Sequence, residues 1–174
     1  GPSQSGKTTL MEKIIKQQET LMYPKLDAKI TYEDYLSGSF DPKVNNLMVL
    51  DDVMVSAEKD ENVVNLFIKD SHHKNISVFY LVQNAFSPGK YARTISLNCS
   101  NIIITNNVRD RRQIRELAQQ MFPENSKFLV EAYNDATKKK YGYLFLDLTQ
   151  KCPREHIVQT GITTDDTRFI YTPL

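Results

Sequence analysis

The feature that most constrains this chain is its first segment. Gly1-Pro2-Ser3-Gln4-Ser5-Gly6-Lys7-Thr8 fits the pattern G-x-x-x-x-G-K-[ST] at every fixed position and runs straight into an amphipathic helical pattern. Two glycines let the backbone fold tightly round a phosphate, so that successive N–H groups and the positive end of the following helix converge on it. In such a loop Lys7 reaches the β- and γ-phosphates of a nucleotide and the Thr8 hydroxyl ligates Mg²⁺. The nucleotide-binding segment is thus expected to comprise Gly1, Pro2, Ser3, Gln4, Ser5, Gly6, Lys7, Thr8 and Thr9. The alternative is an accidental glycine-containing turn before a helix, which would have to meet four fixed positions by chance.

Periodicity organises the rest of the chain. Leu10, Met11, Ile14, Ile15, Leu21 and Met22 recur at helical offsets over residues 8–22, and Pro24 stops them. Residues 27–35 alternate loosely, as a short strand followed by a helical turn would. Leu47 to Leu50 is a short apolar run that ends on Asp51 and Asp52, the pattern of a buried parallel strand presenting charge at its C-terminal end. A helix is expected from Asp60 or Glu61 to about Ser71, then a buried strand from Ile76 to Val82. A Pro88-Gly89 turn and a short segment, Lys90 to Leu97, lead to a third strand at Ile102 to Ile104. Two further helices follow, one capped by Asp110 and stopped by Pro123, the other from about Ser126 into Lys138, Lys139 and Lys140. A fourth strand runs from Tyr143 to Leu148. This alternation predicts an α/β fold with a mainly parallel sheet flanked by helices, residues 1–149 forming the core and 150–174 a polar tail or edge strand.

Asp51 and Asp52 indicate what a nucleotide would be for. An apolar strand ending in Asp is the Walker B pattern, in which Asp51 holds Mg²⁺ through water. A second acid directly after it, Asp52, can orient and polarise the attacking water as a general base, which argues hydrolysis rather than transfer to an acceptor. Its alternative role is a helix-capping or solvated loop acid. Gln83, just past the next buried strand, lies at the edge where phosphates sit in an open α/β sheet and can hydrogen-bond the γ-phosphate or the lytic water. The bland alternative is a solvent-facing strand end, and Asn84 is the fallback. Arg93 is preferred to Arg109 as an arginine reaching a neighbouring subunit's γ-phosphate, both being expected in loops near the catalytic edge. Arg111, Arg112 and Arg115 read as a solvated face or a subunit contact. Lys138 to Lys140 either touch a DNA backbone or complement a helix dipole. The adjacent His72 and His73 make poor joint metal ligands.

Composition bounds these readings. A chain of 174 residues has room for one domain, and 22 Lys plus Arg against 21 Asp plus Glu leave a net charge of +1, so any nucleic-acid contact must use local patches. Cys99 and Cys152 are too few for a disulfide framework. No apolar run approaches the ~20 residues of a membrane-spanning helix, and the reading is a soluble, intracellular protein with no membrane partner.

Three parts of the sequence together, GPSQSGKTT, the Asp51-Asp52 strand end and the block SHHKNISVFYLVQNAFSPGKYARTISLNCSNIIITNNVRDRRQIRELAQQMFP from Ser71 to Pro123, resemble the FtsK/HerA-type packaging ATPases of Polinton elements, adintoviruses and virophages, related to the poxvirus packaging ATPase. The likeness covers most of residues 1–148. It implies a P-loop NTPase that forms a homo-oligomeric ring and hydrolyses ATP with Mg²⁺ to pump double-stranded DNA into a viral capsid at its portal vertex, in the host cytoplasm or nucleus or with the virion. It implies Lys7 and Thr8 for the phosphate loop, Asp51 and Asp52 for Walker B, Gln83 for the strand-end glutamine and Arg93 for the finger. Relatives have a β-strand leading into the phosphate loop, which this sequence lacks; the expectation is a truncated piece or incomplete gene product whose nucleotide affinity rises when upstream residues are restored. Two other readings stand beside it: a P-loop NTPase that does not act on DNA, and an inactive remnant of an integrated element.

Overall fold

Strand β2 (Asn46–Asp51) shows how the first sheet is built. Asn46, Leu47, Met48 and Leu50 are buried, Val49 is half-buried and only the terminal Asp51 is exposed, so both faces of the strand are covered, as a central parallel strand requires. In the computed structural model, which describes residues 5–17, 25–51, 60–83 and 91–173, β2 pairs in parallel with β1 (Ala28–Ile30) on one side and β3 (Ile76–Leu81) on the other. The register sets Ala28 and Ile76 opposite Asn46, and Leu81 opposite Asp51. The Asn46 side chain is fully buried, and its amide donates to the carbonyls of Asp41 (2.8 Å) and Val44 (3.0 Å), tying the preceding loop to the start of the strand.

Helices cover this sheet for local reasons. Helix α2 (Tyr32–Ser37) starts with a capping box in which the Thr31 and Asp34 side chains each serve the other's backbone N–H, and ends on Gly38 at φ 73°. The helix expected from Asp60 to about Ser71 is found as α3 (Glu61–Asn65), a π-helical turn (Leu66–Asp70) and α4 (Ser71–His73), with Asp60 capping the Asn62 N–H. Val63, Val64 and Leu66 from this run join Ile30, Tyr35, Met48, Leu50, Ile76 and Ile95 in one apolar cluster. Ile95 comes from α5 (Ala92–Leu97), where the sequence had promised only a short segment.

The second sheet departs from expectation. Strands β4 (Asn101–Thr105), β5 (Tyr143–Asp147), β6 (Val158–Thr160) and β7 (Phe169–Tyr171) pair in that order, every pair antiparallel. Over the described residues the chain is therefore α/β with a three-stranded parallel sheet and a four-stranded antiparallel one, rather than a single mainly parallel sheet. A parallel crossover needs a connection that brings the chain back to the starting end of the sheet, as one helix does. Between β4 and β5 lie two helices, α6 (Arg112–Met121) and α7 (Ser126–Ala136), packed together and joined through the turn Pro123–Asn125. The pair runs out and back, so β5 starts at the end where β4 finished.

Residues 150–174 do more than a tail or an edge strand would. They contribute β6, which is paired on both sides, and β7. Gly161 makes the corner after β6 at φ 67°, where a Cβ would lie 2.0 Å from the Thr167 carbonyl oxygen, so glycine alone fits. Beyond it the buried Tyr143 hydroxyl accepts the Ile162 N–H (2.9 Å) and donates to Asp166 (3.3 Å), while Thr163 donates to the same carboxylate (2.6 Å). Burial, with the Asp166 charge adding to it, pushes the Tyr143 phenol up to about 12.

By compactness the chain divides into two units, Gly1–Gln17 with Ser100–Leu174 and Gln18–Cys99. The expected division at residue 149 does not coincide with either boundary.

Candidate functional site

In the first unit the start of α1 (Lys7–Lys16) is organised by Gly6, which sits in the left-handed region at φ 83° and ψ 12° and caps the helix through its carbonyl, bonded by the Leu10 N–H at 2.9 Å. The N-cap residue Gly6 has no side chain with which to cap the helix, and the first turn holds no acidic residue. A helix N-terminus of this kind presents backbone donors and a positive dipole end to whatever anion approaches it. Thr8 and Thr9 are exposed on that first turn, whereas Met11 and Ile14 are buried and fix the other face of the helix. Ser5, just before Gly6, accepts a hydrogen bond from the Thr105 hydroxyl at 3.1 Å, which ties the loop to the end of β4. Gly1, Pro2, Ser3 and Gln4 lie outside the described residues.

The far end of α1 is clasped by the C-terminal segment. Thr164 N–H donates to Gln17 Oε1 (2.9 Å), and Lys13 pairs with Asp165 (3.1 Å), whose carboxyl is held below its ordinary range by the Lys13 hydrogen bond and charge. Neither this clasp nor the Thr105 contact was legible beforehand; the only hint for Thr105 is a polar residue closing the run Ile102–Ile104.

In the second unit the parallel register brings two expected residues to one edge. Asp51 is the last residue of β2, opposite Leu81, and Gln83 follows two residues after Leu81; both are exposed at the C-terminal ends of neighbouring strands. In open α/β sheets ligands bind at this end of the strands. Asp52 and the fallback Asn84 lie outside the described residues.

The arginines differ from expectation in one respect. Arg93 is not in a loop but on helix α5, exposed, because Ile95 two positions later packs into the apolar cluster and draws the segment into a helix. Arg109 is in the loop after β4. This loop is held in shape: Asn107 Oδ1 accepts the N–H groups of Arg109 (3.1 Å) and Asp110 (3.2 Å), and the Asn107 N–H donates to the Tyr133 hydroxyl (2.9 Å). Asp110 accepts the Arg112 N–H at 3.0 Å but stands one residue before the N-cap position expected for it, which Arg111 holds. Arg111, Arg112 and Arg115 are exposed, as are Lys138 to Lys140, of which Lys138 pairs with Asp135 at 2.8 Å.

Among the described residues no three His, Cys, Asp or Glu side chains converge as a metal cage, and no helix is long and apolar enough to cross a membrane. Thr8, exposed in the first turn of α1, fits Mg²⁺ by its chemistry, since that ion takes few protein ligands and relies on substrate phosphates and water for the rest. Comparison with family models, with curated proteins and with solved structures returns no match to this chain.

Proposed function

We propose that the protein is a P-loop ATPase that translocates double-stranded DNA, packaging a viral genome into a capsid as a homo-oligomeric ring. The observation that carries this reading is the left-handed Gly6 of the G-x-x-x-x-G-K-T segment standing as the N-cap of α1, whose first turn holds no acidic residue. Lys7 neutralises the β- and γ-phosphates, and the backbone N–H groups of the loop bind the same oxygens. Thr8, and Asp51 through water, would be the residues to hold Mg²⁺, which when bound would supply charge neutralisation on the phosphates. Asp52 takes the proton of the attacking water, and Gln83 orients that water or the γ-phosphate. Arg93 serves the γ-phosphate of the next subunit. The common edge of Asp51 and Gln83 on neighbouring parallel strands supports this division of labour. The DNA part of the reading rests on the sequence resemblance, and a net charge of +1 suits a motor that must release its track at every step.

The test is steady-state ATP hydrolysis with and without double-stranded DNA. Turnover is expected to rise with DNA, to vanish in Lys7→Ala, and to fall about 10²–10⁴-fold in Asp52→Asn, the usual worth of a general base. Full activity in either variant overturns the assignment. Lys7-dependent hydrolysis that ignores DNA points to a P-loop NTPase of another kind, and no binding at millimolar nucleotide points to an inactive remnant.

A further inference from the structure

Tyr141 stands out in the first unit for three reasons. Its backbone is left-handed at φ 63°, a conformation rare for a bulky non-glycine residue. The turn that imposes it is closed by Gly142 N–H donating to the Lys139 carbonyl at 2.9 Å, and Gly142 has no room for a side chain because a Cβ would meet the Ala136 carbonyl oxygen at 2.3 Å. The ring is brought against the phosphate-loop residue Gly6, where an added Cβ would lie 3.1 Å from Tyr141 Cδ1 and 3.5 Å from its Cβ and Cγ. Yet the residue stays 60 % exposed, and the Lys140 ammonium lies over the ring at 5.1 Å from its centroid. A tyrosine that merely filled space would bury its ring. Here a strained turn holds an open aromatic surface and a cation beside the loop, and strain of this kind gathers at ligand sites.

We propose that Tyr141 is the stacking platform for the base of a nucleotide whose phosphates sit at Gly6 and the first turn of α1. The proposal rests on the nucleotide reading given above and adds the residue that recognises the base. Every nucleobase has a π-face that an aromatic ring can stack against, so Tyr141 contributes affinity for a nucleoside triphosphate with little preference among bases. Lys140, lying over the ring, adds positive charge on the same side of the loop.

Calorimetric titration of the whole chain with MgATP and, separately, with magnesium tripolyphosphate tests it. Tyr141→Asn is the informative variant, because asparagine tolerates the left-handed backbone and removes only the ring; its thermal midpoint checks that the fold is kept. ATP affinity is expected to drop about ten-fold in Tyr141→Asn, the range typical of a lost base–aromatic stack, while tripolyphosphate affinity stays unchanged and Tyr141→Phe binds ATP like the natural chain. Unchanged ATP affinity in Tyr141→Asn overturns the proposal, and so does an equal loss for ATP and tripolyphosphate, which would mark a merely supporting contact to Gly6. In both of those cases binding would still depend on Lys7. If instead the natural chain binds neither ligand and Lys7→Ala changes nothing, the nucleotide reading fails and the proposal with it.

Discussion

Single residues decide the geometry at the start of α1. Gly6 and Gly38 both lie in the left-handed region, at φ 83° and 73°, but only Gly6 has a neighbour, Tyr141, close to where a side chain would emerge. An alanine at Gly38 meets open space and is expected to cost only the backbone term, about 1 kcal/mol. Gly6→Ala carries the same term and must also displace the Tyr141 ring, so it should cost about 1–3 kcal/mol, and paired urea titrations read the difference as the weight of that contact. The sequence made Gly6 legible, because a fixed motif spacing prescribes it. Tyr141 was not legible: its part comes from a turn that brings it to Gly6 across most of the chain's length, and no local pattern records a contact of that separation.

At the scale of elements, side chains that link neighbours carry more than helix propensity does. Tyr35 on α2 donates to Asp70 at 2.7 Å, Lys74 reaches the same carboxylate at 3.0 Å, and the Tyr35 ring lies under the Lys74 ammonium. Burial alone would raise the Asp70 carboxyl, but the Tyr35 hydroxyl and Lys74 more than offset it and hold it low. Tyr35→Phe is expected to destabilise the protein by about 1–2 kcal/mol, readable in chemical denaturation, since it leaves a half-buried carboxylate short of a donor. In this unit β2 and β3 were legible because they are apolar runs with clear ends, and α3 because Asp60 caps its start. The strands β6 and β7 were not. Each is three residues long, too short for alternation to register, and Val158 and Gln159 are buried although one of them is polar. The antiparallel turn of the second sheet was hidden for another reason: period and caps reveal α6 and α7 individually, but not that the pair reverses the chain.

For the whole molecule, charge and order of assembly matter most. Asp34, Asp60, Asp110, Asp135 and Asp165, in addition to Asp70, have carboxyl pKa values below the ordinary range, through bonds from Thr31, Tyr32, the Arg112 N–H, Lys138 and Lys13 respectively. A group whose pKa is depressed by folding contributes stability above its unfolded value and loses it as the pH falls through its folded value. The thermal midpoint should thus hold near neutral pH and decline once the pH drops below about 4, with both units affected because these carboxylates are spread over both.

The clasp on α1 has a consequence in time. Ser5 is bonded to a residue 100 positions later, and Gln17 to residues 147 and 148 positions later. A chain emerging from the ribosome thus makes Ser5 and α1 early and the groups that steady them late, whereas Gln18–Cys99 is one uninterrupted stretch that can close its own core first. A nascent chain halted before residue 163 should therefore already protect the amides of β2 and β3 from hydrogen exchange while α1 is still unprotected, and α1 should gain protection only once residues 163–166 have emerged.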